Sequence, residues 1–371
     1  MELYYMNLAF DLAEKGRGKV NPNPMVGAVI VKNNKIIGQG YHEQYGKNHA
    51  EINALNSAKE DVEGATMYVT LEPCYHYGKT PPCVEKIIEN KIEKVIIASL
   101  DPNPLVSGNG IKKLRNAGIY VEVGLLDEKN KKLNEVFMKY IVKKKPFVVM
   151  KSAMSLDGKI ATYSGESKWI SSEKSRKQVH KLRNEFMGIL VGVNTVIKDD
   201  PELTCRLENC TNPIRIIVDS TLRIPLNSKV VKESNKAKTI IVTTEKADKY
   251  SIKNLESNGV KVIIAKSKDN RVDLDNMMKK LGKLKIDSIL LEGGSSLNFS
   301  ALEQNIVDKI QVYIAPKIIG GQNSKTPIGG KGIDLLQDAF KVKDITLKTI
   351  GEDILIEGYF EGREKVNCLQ A

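Results

Sequence analysis

The sequence has no apolar run approaching the ~18–20 residues that a membrane-spanning helix needs. It opens MELYYMNLAFDLAEKGRGKV, without the basic segment and apolar stretch of a secretory signal. A cytoplasmic protein with no membrane partner is the expectation. Aromatic residues make up only 6% of the chain, with a single tryptophan, so stacking platforms for nucleic-acid bases are scarce. The five cysteines, Cys74, Cys83, Cys205, Cys210 and Cys368, are too few and too scattered for a secreted disulfide framework. Metal binding or free thiols is the default reading. No period of 20–50 residues marks a solenoid.

What is present is a chain of 371 residues, 41% hydrophobic and 27% charged, enough for about two globular domains. The formal charge of +12 is spread along the chain; it suits phosphorylated small molecules as well as nucleic acid and does not choose between them. Strand and helix patterns alternate from the start. A helix over Leu3 to Glu14 precedes two strands, Val26 to Val31 and Lys35 to Gly40, joined by Asn33-Asn34, which tolerate the positive φ of a tight hairpin. A helix from His49 to Lys59, the strand Thr66 to Leu71, a helix from Pro82, the strand Lys94 to Leu100, a helix near Ile111, the strand Ile119 to Val123 and one long helix from Asp127 to Val142 follow. Lys143-Lys144-Lys145-Pro146 has the composition of a linker, and Phe147 restarts a buried-strand pattern. Strands at Gly188, Ile214, Thr239, Lys261, Ser288 and Lys309 then build a second α/β layer. The expected domains are 1–145 and 146–362, with a tail, 363–371.

Three of the four histidines lie in the first part. His49-Ala50-Glu51 falls at a helix start, Pro73-Cys74 after a strand, and Pro82-Cys83 at the start of the next helix. A helix amino terminus lowers a thiol's pKa, and zinc takes its cysteines as thiolates. His49, Cys74 and Cys83 give three ligands, leaving a fourth position for water, the pattern of a catalytic zinc. Glu51, two residues beyond the histidine, is placed to shuttle a proton from that water to a leaving amine. A structural site with His42 or His76 as fourth ligand is the alternative, and it leaves Glu51 without a role. HxE followed by PC and a second cysteine is the zinc-deaminase arrangement, but here that cysteine comes nine positions after the first, where cytidine-type and tRNA-type deaminases have it at three.

The second part carries no GxGxxG, so the Rossmann fingerprint is missing. It does have an apolar strand running into Glu292-Gly293-Gly294-Ser295-Ser296 at a helix start, where free N–H groups can bind phosphate. A tight strand-to-helix turn would want those glycines anyway.

The run PCYHYGKTPPC from Pro73 to Cys83 resembles the PCxHxGxTPPC of the bifunctional riboflavin-biosynthesis deaminase/reductase family, RibD. KSAMSLDGKIA from Lys151, GESKWISS from Gly165, DDPELTCR from Asp199 and the EGG turn resemble the reductase half of that family, in the family's order. The resemblance implies a cytidine-deaminase-like three-layer α/β domain followed by a dihydrofolate-reductase-like α/β domain, with one zinc per chain and NADPH. It implies hydrolytic deamination of 2,5-diamino-6-(5-phosphoribosylamino)pyrimidin-4(3H)-one, then reduction of the ribosyl side chain to give 5-amino-6-(5-phosphoribitylamino)uracil. Deaminase substrate contacts fall on Asn23, His42, His76, Lys79, Asp101 and Asn103. Reductase substrate contacts fall on Ser167, Arg183, Leu203, Arg206 and Glu292, and NADPH contacts on Ala153, Trp169, Thr195, Asp199, Ser220, Gly294, Ser295 and Ser296. A homo-oligomer acting on small phosphorylated pyrimidines, without nucleic acid, is expected. The rival is a nucleic-acid-acting zinc deaminase with an accessory domain, which leaves the second half unexplained.

Overall fold

The computed structural model describes residues 1–75, 81–103 and 107–360. They form two compact units that divide between Lys144 and Lys145.

The first unit runs α1 (Glu2–Glu14), β1 (Gly27–Lys32), β2 (Lys35–Tyr41), α2 (Ala50–Asn56), β3 (Thr66–Leu71), α3 (Cys83–Glu89), β4 (Lys94–Ser99), α4 (Asn109–Asn116), β5 (Tyr120–Val123), α5 (Asp127–Leu133) and α6 (Glu135–Lys143). Its sheet has the order β2-β1-β3-β4-β5. The β1–β2 and β1–β3 pairs are antiparallel, and β3–β4 and β4–β5 are parallel. Asn33 and Asn34 adopt φ 50° and 61°, as the hairpin reading requires.

Strand residues alternate between two cores. Met6, Ala9 and Phe10 of α1 cover Val29, Tyr68 and Ile96 on one face, while Ala50, Ala54, Val84, Ile87 and Leu114 from α2, α3 and α4 cover Ile30, Met67, Val69 and Ile97 on the other. Three layers result. Glycine permits the tightest approaches: a Cβ on Gly40 would overlap the backbone of α2 at the Ala54 nitrogen and come within 2.7 Å of the Ala50 oxygen.

The single long helix expected from Asp127 is broken at Asn134. That residue is buried, and its side chain donates to the Met25 oxygen (3.0 Å) and accepts from the Met25 nitrogen (2.8 Å). Holding the turn before β1 in this way takes Asn134 out of helical geometry (φ −104°, ψ 24°).

The second unit comprises β6 (Phe147–Ser155), α7 (Glu173–Glu185), β7 (Gly188–Gly192), α8 (Val193–Asp199), β8 (Ile214–Val218), α9 (Lys229–Lys232), β9 (Thr239–Thr244), α10 (Lys249–Ser257), β10 (Lys261–Ala265), the small pair β11 (Ser267–Lys268) and β12 (Arg271–Val272), α11 (Leu274–Lys283), β13 (Ser288–Gly293), α12 (Ser295–Glu303), β14 (Lys309–Ala315), β15 (Val342–Ile350) and β16 (Asp353–Phe360). The nine-stranded sheet is ordered β10-β9-β8-β7-β13-β6-β14-β16-β15. It is parallel from β10 to β14, and the β15–β16 hairpin adds two antiparallel strands at one edge. Met277, Met278 and Leu281 of α11 cover one face of the parallel part, and Val196, Val230, Val231 and Leu255 from α8, α9 and α10 cover the other. Apolar strands such as Ser288-Ile-Leu-Leu291, covered on both faces, are what a parallel sheet demands.

Candidate active sites

His49 caps α2 with extended backbone (φ −75°, ψ 166°), which turns its ring back toward the end of β3. Cys74 follows that strand and Cys83 opens α3 after Pro82. The His49 Nδ1 lies 3.5 Å from Cys74 Sγ and 3.3 Å from Cys83 Sγ, and the backbone N–H of Cys83 donates to Cys74 Sγ at 3.2 Å. Zn–S bonds of about 2.3 Å and Zn–N bonds of about 2.0–2.1 Å at a tetrahedral angle separate nitrogen and sulfur by about 3.5 Å, so the donor set has the spacing of a zinc site. Its three ligand atoms lie within 4.8 Å of one another.

The protons are arranged for a cation to displace. Hydrogen bonding from Cys83 and then from His49 holds the Cys74 thiol down at about 4 against the opposing effect of burial. Hydrogen bonding to Cys74 pushes His49 up to about 9, and the same bonding together with burial raises Cys83. A metal binding here would release the histidine and Cys83 protons. Glu51, 3% exposed in the first turn of α2, is pushed up to about 6 by burial, partly offset by the His49 charge. That places it where a carboxyl can both take and give a proton near neutral pH.

Asn23 and His42 sit beside this cluster. The Asn23 Nδ2 donates to His42 Nε2 at 3.2 Å, so His42 Nδ1 is the donor to the Asn48 oxygen at 2.9 Å. Burial lowers the pKa of this ring, which stands edge-on to His49 with centroids 5.4 Å apart. Asp101 is near enough to feel the charges of Glu72 and Cys74, and burial pushes its carboxyl to about 7; its Oδ1 accepts the Asn103 N–H at 2.8 Å, a local turn. His76 and Lys79 lie outside the described residues.

In the second unit the expected cofactor residues gather along the carboxyl ends of adjacent strands. Ala153 is on β6, Gly294 follows β13, Thr195 lies just after β7 and Ser220 after β8. A Cβ on Gly294 would contact Thr195 Oγ1 at 3.5 Å, so these two border one crevice, with Ser295 and the exposed Ser296 opening α12. Crevices at strand carboxyl ends are where open α/β sheets bind nucleotides. Trp169 is 60% exposed and carries the Arg176 guanidinium over its ring at 4.7 Å. Asp199 ends α8. The Ser220 Oγ accepts the Val272 N–H at 3.2 Å, so that hydroxyl also secures the loop.

Two of the expected substrate residues hold each other. Arg183 grips Glu292 with a fork, Nε to Oε1 and Nη2 to Oε2 both 2.8 Å, and its Nη1 donates to the Thr204 oxygen at 3.0 Å. Burial works to raise Glu292, but the Arg183 and Lys151 charges hold it at about 2. Arg206 is more than half exposed and only loosely paired, 3.7 Å from Glu202. The buried Leu203 adopts φ 54° beside it, and Ser167 lies in the loop after β6. Lys151 had no assigned role from the sequence. Its ammonium faces Glu292 and Arg183 and stands 5.8 Å from the Tyr313 ring centroid, with its pKa lowered by burial; a lysine directly after the apolar run Phe147-Val-Val-Met150 in the same strand was the signal. Cys205 and Cys210 are joined as a disulfide around Arg206, which corrects the default of free or metal-bound thiols for these two.

Fold and sites together define a class, a zinc-binding deaminase domain followed on the same chain by a reductase domain. Residues 1–99 match the cytidine and deoxycytidylate deaminase zinc-binding region, and residues 146–356 match the RibD C-terminal domain. The chain is 51% identical to the riboflavin biosynthesis protein RibD of Actinobacillus pleuropneumoniae over 96% of its own length and 94% of the relative's. Against RibD of Aquifex aeolicus it is 49% identical, covering 95% and 96%. The crystal structure of a diaminohydroxyphosphoribosylaminopyrimidine deaminase/5-amino-6-(5-phosphoribosylamino)uracil reductase from Thermotoga maritima superposes with a TM-score of 0.84 at 40% identity, covering 97% of this chain and 98% of that one. The chain belongs to the RibD family. It is a bifunctional deaminase and reductase of riboflavin biosynthesis, with zinc and NADPH as cofactors and pyrimidine small molecules as substrates.

Proposed function

We propose that residues 1–145 deaminate 2,5-diamino-6-(5-phosphoribosylamino)pyrimidin-4(3H)-one and that residues 146–362 then reduce the ribosyl side chain of the product to ribityl. The observation that carries this reading is the convergence of His49, Cys74 and Cys83 within 4.8 Å, next to a buried carboxyl on the same helix start. These three side chains would hold zinc, which when bound supplies Lewis-acid activation of a water nucleophile. Glu51 takes a proton from that water and returns one to the departing amine, so that ammonia leaves and oxygen replaces it. Asn23, His42, Asp101 and Asn103, with His76 and Lys79, orient the pyrimidine phosphate.

In the reductase half NADPH, when bound, would supply a hydride to C1′ of the ribosyl group as the C1′–O4′ ring bond opens and O4′ takes up a proton. Ala153, Trp169, Thr195, Asp199, Ser220 and the Gly294-Ser295-Ser296 turn orient that cofactor, the turn by presenting the N–H groups of α12. Arg206 is the open cation for the substrate phosphate; Ser167 and Leu203 border the same site, and Arg183 serves by fixing Glu292. Neither step calls on nucleic acid, and the reading places the enzyme in the cytoplasm with its supply of reduced cofactor. A homo-oligomer is part of the proposal: on the edge strand β15, Ile345 and Leu347 are 58% and 68% exposed, apolar side chains that a second copy would cover.

Zinc content and ammonia release on the full chain test the site. About one zinc per chain is expected, with Cys83→Ser losing both zinc and deamination while still oxidising NADPH with the deaminated pyrimidine. Full zinc and full deamination in Cys83→Ser would contradict the ligand set.

A further inference from the structure

Glu72 lies two residues before Cys74 and is 4% exposed. Its carboxylate is filled by backbone N–H groups from far along the chain. Oε2 accepts from Gly108 at 3.0 Å and Asp101 at 3.3 Å, and Oε1 from Gly110 at 3.1 Å and Ile111 at 3.4 Å. Gly108 is the cap of α4, and Gly110 and Ile111 stand in its first turn. These are N–H groups that a helix cannot satisfy internally, so a carboxylate from the end of β3 does the work of a local capping side chain.

The approach is close by design of the sequence. A Cβ on Gly110 would stand 2.5 Å from the Pro73 oxygen and 3.1 Å from Glu72 Oε1, so α4 can reach the 72–73 turn only with glycine there. That turn is otherwise fixed toward the cysteine cluster. The Glu72 N–H pairs with the Ser99 oxygen, the Val84 N–H with the Cys74 oxygen, and the Cys83 N–H with Cys74 Sγ. One carboxylate therefore joins two parts of the deaminase site: the turn carrying Cys74, and the segment carrying Asp101 and Asn103.

We propose that Glu72 is a positioning residue for deamination, holding Asp101 and Asn103 in register with the cysteine turn so that the substrate's ring is presented to the reacting centre. The proposal rests on the reading that Asp101 and Asn103 contact the pyrimidine phosphate. Glu72→Gln replaces one acceptor with an amide NH2 facing N–H donors, which unseats half the cradle. Gly110→Ala keeps the carboxylate but pushes α4 away from it.

The test uses the full-length, zinc-loaded protein. In both variants KM for the diaminopyrimidine phosphate should rise about tenfold, the scale of one lost hydrogen bond to a charged group, with kcat within about twofold of wild type. Zinc should stay at about one per chain, and kcat/KM of the reductase for the deaminated pyrimidine should be unchanged. Amide exchange at Asp101 and Ile111 should accelerate about tenfold or more in Glu72→Gln. Wild-type KM and wild-type exchange would overturn the proposal, as would a fall in kcat that tracks lost zinc at constant KM, the signature of support for the metal turn alone. If Glu72→Gln does not fold, Gly110→Ala carries the same KM prediction. Absence of deamination by the wild-type protein would instead overturn the substrate reading, leaving the exchange data to decide the role of Glu72.

Discussion

The Arg183–Glu292 pair shows how an arginine's role depends on what else is within reach. Both residues were expected to contact substrate; the Arg183 guanidinium meets Glu292 and the Thr204 oxygen, while Arg206 is more than half exposed and only loosely paired. Arg183→Ala should therefore destabilise the reductase half by about 3–5 kcal/mol, because it strands a buried carboxylate. Arg206→Ala should leave unfolding unchanged and weaken the phosphorylated substrate, relative to its dephosphorylated analogue, by about one to two powers of ten; denaturant unfolding and paired kcat/KM measurements separate the two. Glu292 also makes a pH prediction. Its folded pKa of about 2 lies below the ordinary carboxylate value of 4.5, so between those values the unfolded chain binds the extra proton. The stabilisation is complete above about pH 5 and is lost as pH falls toward 2, amounting to roughly 3 kcal/mol. Urea midpoints for wild type and Glu292→Gln should diverge least near pH 3 and most near pH 6; a constant difference would contradict this. Neither Arg183–Glu292 nor Glu72 was legible in the sequence, because their partners lie 109 and 29 to 39 residues away. His49, Glu51, Cys74 and Cys83 were legible because local order already implies a helix start beside a strand end.

Among elements, α2 matters most to the deaminase because it carries both His49 at its cap and Glu51 in its first turn. It can lie on β2 only because Gly38 and Gly40 have no side chains; a Cβ on Gly38 would meet the Ala54 oxygen at 2.5 Å. Gly40→Ala should displace the helix, at a cost of about 1–3 kcal/mol for overpacking, lowering zinc occupancy and deamination while the reductase rate stays at wild type. Unchanged zinc and unchanged deamination would show that α2 is not held by this contact. Periodicity and turn residues made most elements readable, from the Asn33-Asn34 hairpin to the parallel strands of the second unit. They failed where tertiary contact overrode local preference. Asn134 breaks a sequence of good helix formers because Met25 needs its amide. The edge strand β15 was not read because Val342–Ile350 interleaves Lys343, Asp344 and Lys348 with apolar residues on an exposed edge, leaving no buried-strand pattern to recognise.

At the scale of the whole molecule, one chain performs two chemically unrelated steps, deamination and reduction. Each unit has its own sheet and its own cores, so a lesion in one site should leave the other reaction intact. The most direct test follows NADPH oxidation and ammonia release together, with wild type and Glu51→Gln each given the diaminopyrimidine phosphate and then its deaminated product. Wild type should release ammonia first and then oxidise one NADPH per ammonia. Glu51→Gln should keep its zinc, lose ammonia release by about 10²–10⁴-fold as expected for a missing general acid/base, and oxidise NADPH at the wild-type rate only when supplied with the deaminated compound. Undiminished ammonia release by Glu51→Gln, or no NADPH oxidation by wild type with the deaminated compound, would contradict the account.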